Sequence, residues 1–331
     1  MESFEGKTIL VTGATGLIGS NLVDRIMTMK PAKMIVTGRN EKKLVATFTE
    51  FVDKENFIIV QHDAAKPIPS SMQDVDYIFH AAGPMEREIV MNRPVDVILP
   101  NILGTINMME FLRNQETMTG KKGRIVVFSS VTVYNNPGVD NYDALESETT
   151  HAISLDALTA CYAESKRMSE VIARSYAKQY GIDAVIARFS TVYGPTRNVP
   201  DTAFYEFIRK SIAGEDITVN SSAVPRRDNI YVDDAIDGLL CITLSGKTGE
   251  AYNISSGGEL DNYAAVDEIA KVAARVAGKG SKVLYKTEGD IKKCGMTLNN
   301  IKLKTLGWTL HFSLESGVEK TIRSLKNHMT E

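Results

Sequence analysis

Tyr162 and Lys166 stand four residues apart in the segment CYAESKRMSE. On a helix that spacing puts both side chains on one face. A free tyrosine ionises near pH ~10, too high for a general base at neutral pH. An ammonium one turn away favours the phenolate and brings that value down. Such a pair can take a proton from a hydroxyl or return one. By itself the spacing describes a packed ring beside a solvated amine equally well. Ser130, where the apolar run GRIVVFSS ends, adds a hydroxyl able to hydrogen-bond the same reacting oxygen. Ser129 is left to satisfy loop backbone. Asn101, among apolar neighbours in PNILGTINMMEF, must find partners if buried and is read as support rather than chemistry.

A proton carrier needs a partner that moves electrons, and the segment ILVTGATGLIGSNL points to one. An apolar run (Ile9, Leu10, Val11) is followed by Gly13, Gly16 and Gly19. Leu17, Ile18, Leu22 and Val23 then begin a helical stripe. Strand, glycine turn and helix together aim free backbone N–H groups at a pyrophosphate, and the third glycine lets helix and strand pack closely. A plain strand–helix turn is the alternative. After the second strand, IVTGRNEKK carries no acid to hold the ribose hydroxyls of NAD. Arg39 stands there instead, with Lys42 and Lys43 nearby, and a guanidinium suits a ribose phosphate. NADP is therefore the expected cofactor, with NAD left open. Asp63, after the third strand, either reaches the adenine amine or caps a turn.

The elements that must position these residues alternate. Strands are expected at residues 8–12, 33–37, 57–62, 77–81, 123–129 and 184–189, and helices at 19–29, 41–52, 95–113 and 160–180. Runs such as IVVF and AVIA are apolar throughout, as when both sheet faces are buried. The fold class is α/β: a Rossmann, doubly wound parallel sheet with a smaller C-terminal α/β substrate-binding region. Residues 1–190 form the dinucleotide-binding domain with the reacting residues, and 191–331 the mainly substrate-binding region. In the latter, short strands (217–219, 251–254) mix with helices (203–213, 263–277). A pocket is expected between the two.

The 331 residues are 43% hydrophobic and 24% charged with net charge −3, ordinary values that give no broad basic surface for nucleic acid. Cys161, Cys241 and Cys294 lack metal-ligand spacing, and no metal is expected. Free thiols fit a reducing cytoplasm. The N-terminus MESFEGK is not a signal peptide, and no apolar run is expected to cross a bilayer.

Taken together the chain resembles the extended short-chain dehydrogenase/reductase family, also called NAD-dependent epimerase/dehydratase. The likeness rests on TGATGLIG at 12–19, HAAG at 80–83, NILGT at 101–105, SSVTVY at 129–134, YAESK at 162–166, RFSTVYGP at 188–195 and RRDNIYVDDAIDGL at 226–239. It implies a Rossmann fold, a nicotinamide cofactor, a nucleoside-diphosphate sugar in the C-terminal pocket and a homodimer joined by four helices. It implies Ser130, Tyr162 and Lys166 as the catalytic triad, with Ala64, Ala81, Ala82 and Gly83 beside the cofactor. Arg227 matches the arginine that meets the substrate's diphosphate; read from its neighbours alone, an ion pair with Asp228 or Asp233 competes.

The chain also departs from that pattern. Sugar 4,6-dehydratases carry an Asp-Glu pair after the catalytic Ser or Thr, and the decarboxylases keep a Glu. Here Val131 and Thr132 stand in those places. Thr191 replaces an Asn that contacts substrate. The stretch NNPGVDNYDALESETTH reads as an insertion over the site. Epimerisation through a transient ketone ranks slightly first, on family frequency alone. An NADPH-dependent keto-sugar reductase follows, then a dehydratase or decarboxylase using an atypical acid such as Glu86 or Glu164. Outside nucleotide sugars stand an oxidoreductase for another alcohol and a non-catalytic dinucleotide sensor.

Overall fold

The computed structural model describes residues 4–69, 72, 74–135, 139, 141–148, 151, 153–220, 226–287 and 295–330. Cys294 lies outside these residues, as does part of the insertion. A seven-stranded, all-parallel sheet forms the centre. Its strands are β1 (Thr8–Thr12), β2 (Lys33–Gly38), β3 (Phe57–Gln61), β4 (Tyr77–His80), β5 (Arg124–Ser130), β6 (Asp183–Phe189) and β7 (Ala251–Ile254). The order is β7-β6-β5-β4-β1-β2-β3. It reverses between β1 and β4, and in open α/β sheets ligands bind at such a crevice.

Alternate side chains of each strand point to opposite faces, and both faces are covered. Ile9, Val11, Val126 and Val185 pack against α1 (Leu17–Met27) and α5 (Val232–Ser245). Leu10, Ile125, Val127 and Ile186 pack against α3 (Pro94–Thr119) and α4 (Ala160–Tyr180). Helix α2 (Glu41–Thr47) is capped by Asn40, whose Oδ1 accepts from the Lys43 amide at 3.0 Å. It stops short of the expected 52 because the chain turns at Phe48 to stack its ring on Phe57. The expected helix at 263–277 begins only at Val266, since Tyr263–Ala264 is a strand antiparallel to Arg227–Tyr231.

Three further expectations are corrected. The large sheet does not end at residue 190: β7 and the covering helix α5 both come from beyond it. The described part of the insertion docks on the C-terminal region, where Tyr142–Ala144 pairs with Met296–Leu298 in parallel register. Finally, α3 is long and apolar enough, by length and mean hydropathy (1.3), to cross a membrane. Charged residues at its two ends broke the run in the sequence. Here one side of it, including Asn101, Thr105, Met108 and Leu112, is buried against the sheet and α4.

One buried polar network ties these layers together. Glu170 and Arg188, both about 5% exposed, form a bidentate pair (Nε–Oε1 2.9 Å, Nη2–Oε2 2.7 Å). Arg188 also donates to the Tyr134 hydroxyl at 2.7 Å, which donates in turn to Asn253 Oδ1 at 2.7 Å. Asn253 Nδ2 then reaches the carbonyls of Ala144 and Asn299. Breaking such a pair leaves a buried charge uncompensated. Glu170→Ala is expected to lower the unfolding free energy by about 3–5 kcal/mol, and the Glu170→Leu/Arg188→Met double variant to recover most of that loss. Urea titration checks this; a single variant within about 0.5 kcal/mol of wild type would count against the pair.

Candidate active site

The glycine turn is shaped for something other than protein on one side. Gly13 has φ +64°, and a Cβ there would sit 2.8 Å from the backbone of Ala81 and Ala82. A Cβ on Gly19 would sit 2.7 Å from the Gly13 carbonyl oxygen. These two glycines are required by the close approach of backbone to backbone. Gly16 differs: a Cβ there meets nothing closer than 3.5 Å. It is exposed at the N-terminus of α1, which no side chain caps. The first-turn amides at Leu17, Ile18 and Gly19 thus lie beside an open cradle, a donor set that fits a pyrophosphate. The Thr15 carbonyl faces the other way and accepts from Asn198 Nδ2 at 3.1 Å.

The loop after β4 is laced to this turn. Thr12 Oγ1 lies 2.9 Å from His80 Nδ1 and accepts from the Ala82 amide at 3.2 Å. Burial, with the Lys166 charge adding to it, brings His80 down to about 3, so its ring stays neutral. Gly83 approaches both Asn101 and Lys166: a Cβ there would lie 2.5 Å from Asn101 Oδ1 and 3.4 Å from Lys166 Nζ. Asn101 donates to Ser165 Oγ at 2.9 Å, while its buried Oδ1 has no protein partner. Its placement agrees with a supporting role.

On the adenine side, Arg39 is exposed just after β2, as are Lys42 and Lys43. The Arg39 carbonyl accepts from Gln61 Nε2 at 2.9 Å, which leaves its side chain unrestrained by that bond. Asp63 Oδ1 accepts from the Ala65 amide at 3.1 Å, a turn contact. Ala64 is buried, and its carbonyl accepts from Asn107.

Three consecutive turns of α4 grip the last three residues of β5. The Tyr162 phenol faces Ser130, whose hydroxyl favours the charged form. Lys166 Nζ donates to the Phe128 carbonyl at 2.8 Å, and Glu170 Oε1 accepts from Ser129 Oγ at 2.6 Å. Positions 162, 166 and 170 share one helix face, so one rigid element sets all three. Ser129, expected to satisfy loop backbone, lies in the strand instead and gives its hydroxyl hydrogen to the Glu170 carboxylate. Ser130 Oγ also accepts from the Thr132 amide at 3.3 Å. The Tyr162 ring packs with Val90 and Val97.

The electrostatics differ from the sequence expectation. Burial lowers Lys166 to about 8 and raises Tyr162, with the Ser130 hydroxyl pulling the phenol back. Lys166 does not depress the phenol here. Its Nζ lies 5.9 Å from the ring centroid and directs a hydrogen to Phe128 instead. The Ser130–Tyr162 contact is the one that favours the phenolate.

On the substrate side, Thr191 lies in a short strand paired with Asn229. Thr132 Oγ1 and Ser190 Oγ are buried without protein partners. Arg227 is exposed, and the competing ion pairs do not form. Buried Asp228 instead accepts from the Ser256 amide and hydroxyl and from the Leu298 amide (3.1, 2.5 and 3.0 Å), and burial raises it to about 6. Asp233 faces Lys320 at 3.9 Å. Of the two atypical acids, Glu86 accepts from the Met85 amide and Glu164 pairs with Arg167 at 3.5 Å. Cys161 and Cys241 are free thiols. Sequence reasoning missed Glu170, Arg188, Arg197 and Asn198. A charged residue inside the apolar run AVIARF was the available signal for Arg188.

The profile of the NAD dependent epimerase/dehydratase family matches residues 9–255. UDP-glucuronic acid decarboxylase 1 of Xenopus tropicalis is 28% identical over 332 residues, covering 98% of this chain and 73% of that protein. UDP-glucose 4-epimerase of Thermotoga maritima, solved with UDP-glucose, superposes with TM-score 0.81 at 23% identity over 97% of this chain and 99% of that one. The dTDP-glucose 4,6-dehydratase of Bacillus anthracis, solved with NAD, gives TM-score 0.79 at 20% identity over 98% of both chains. With three-quarters of its length inside that profile, this chain belongs to the NAD-dependent epimerase/dehydratase family, enzymes of the extended short-chain dehydrogenase/reductase type.

Proposed function

We propose that this protein oxidises a sugar carbon of a nucleoside-diphosphate uronic acid and releases the acid group as carbon dioxide. The observation that carries the reading is the Tyr162–Ser130–Lys166 grouping in a chain similar to UDP-glucuronic acid decarboxylases, from which Thr132, in place of their Glu, is a departure. With its pyrophosphate at the glycine turn, a bound nicotinamide dinucleotide would supply reversible hydride transfer. Tyr162 takes the proton of the sugar hydroxyl and later returns it. Ser130 hydrogen-bonds the same oxygen, and Lys166 holds the nicotinamide ribose. A ketone formed one carbon away from a carboxylate-bearing carbon makes loss of carbon dioxide easy, because the bond's electrons pass into the enolate. That step needs no carboxylate base. Dehydration across a carbon–carbon bond does need one, and Thr132 cannot serve.

Epimerisation ranked first on family frequency alone. Relatives 26–29% identical over nearly the whole chain are named UDP-glucuronic acid decarboxylases, which supports decarboxylation ahead of epimerisation. NADP is the proposed cofactor on the strength of exposed Arg39, Lys42 and Lys43. Arg227, exposed and outside the expected ion pairs, is proposed to meet the diphosphate, with Thr132 and Thr191 toward the sugar. A homodimer is proposed through α3 and α4, whose Leu99, Leu103, Met168 and Val171 are exposed.

Tyr162→Phe is expected to cut carbon dioxide release from UDP-glucuronic acid by about 10²–10⁴-fold while dinucleotide affinity stays within about twofold. Substantial residual turnover would remove Tyr162 from this role. Arg39→Glu is expected to lower the NADP/NAD affinity ratio at least about tenfold, read by fluorescence titration; an unchanged ratio would end the ribose-phosphate assignment. Arg227→Ala should weaken UDP binding about tenfold or more and leave dinucleotide binding alone, by calorimetry; equal losses would make Arg227 structural.

A further inference from the structure

The segment just after the short strand Thr191–Tyr193 reaches back across the molecule to the glycine turn. Asn198 Nδ2 donates to the Thr15 carbonyl at 3.1 Å and lies 3.1 Å from Thr47 Oγ1. Arg197 Nη1 donates to the Thr47 carbonyl and to Glu50, both at 2.8 Å, and Nη2 donates to Asp24 on α1 at 2.9 Å. Asn21, also on α1, donates to the Pro195 carbonyl at 3.0 Å. Three residues within the short segment 195–198, namely Pro195, Arg197 and Asn198, therefore join the turn, α1 and the end of α2.

We propose that Arg197 and Asn198 are positioning residues for the dinucleotide: a clasp, contributed by the region beyond residue 190, that holds the glycine turn in its binding shape and so sets how long the cofactor stays bound. The inference rests on the reading of that turn as the dinucleotide site.

The physical case starts from the turn itself. Gly13 at φ +64° and Gly16 on the open side give it backbone freedom, and freedom lost on binding weakens binding. Thr15 is half-buried in the middle of the turn, and the bond from Asn198 to its carbonyl removes part of that freedom beforehand. The ion pairs of Arg197 are partly solvated: its side chain is 30% exposed, and those of Asp24 and Glu50 are 38% and 41% exposed. Such pairs add little to global stability. Their geometric effect is local, since one planar guanidinium meets both neighbours of the turn. The same segment continues from Thr191, so the proposed sugar site and the cofactor turn share one stretch of chain.

The test uses the full chain with NADH and, in parallel, NADPH as probes. Each bound reduced dinucleotide is displaced by excess of its oxidised form, and release is followed by nicotinamide fluorescence in a stopped-flow instrument. Asn198→Ala removes the two amide hydrogen bonds, and release is expected to be about tenfold faster. Arg197→Met keeps the apolar stem and should also speed release. The melting midpoint of the dinucleotide-free variants should stay within about 2 °C of wild type. Unchanged release from Asn198→Ala would overturn the proposal, as would a fall in melting midpoint with unchanged release. A wild type that holds dinucleotide but turns over no nucleotide sugar refutes the proposed reaction and leaves this test standing. A wild type that binds neither probe overturns both.

Discussion

The site depends on the grip of helix α4 on the end of strand β5. Tyr162, Lys166 and Glu170 meet Ser130, Phe128 and Ser129 on successive turns. Two of those residues are the proposed proton-handling pair; the third, Glu170, is anchored by Arg188 from the adjacent strand. A buried ion pair is not a cheap way to gain stability, because desolvation of both charges offsets most of their attraction. What it supplies here is direction. The two parallel hydrogen bonds of a guanidinium and a carboxylate admit one relative orientation of helix and sheet. Apolar contacts alone would allow α4 to slide, carrying Tyr162 and Lys166 with it.

Burial then sets the character of the reacting groups. Lys166 falls to about 8, so its charge is sensitive to small changes in its surroundings, while Tyr162 is held up as a neutral phenol except for the help of Ser130. His80, neutral beneath the loop, keeps a second positive charge away from Lys166. The centre of the sheet thus carries one adjustable cation and one reluctant acid. The hydroxyls of Thr132 and Ser190, buried and unmatched by protein, mark the side on which a polar guest would be recognised by hydrogen bonds rather than by charge.

Much of this was legible in the sequence. The strands were readable because parallel strands buried on both faces are unbroken apolar runs, and β1 and α4 were delimited to the residue. The Tyr162–Lys166 spacing, the glycine turn and Ser130 were recognised from residue type and local order. What stayed hidden had partners far away. Arg188 looked out of place in an apolar run, but its partner Glu170 sits on another element. The sheet's edge strand at Ala251–Ile254 was seen as a strand and assigned to the wrong region, since pairing is not a local property. The sign of the Tyr162 shift was missed for a similar reason: burial outweighed a neighbour that the helix period alone had made look decisive.

The clasp has a consequence for biosynthesis. Asn198 meets Thr15 across 183 residues, and Arg197 meets Asp24 across 173. The glycine turn leaves the ribosome 183 residues ahead of the asparagine that braces it. Contacts so distant along the chain close late. During synthesis the turn therefore stays unbraced for that interval, and its mature shape is delivered by residues translated long after it.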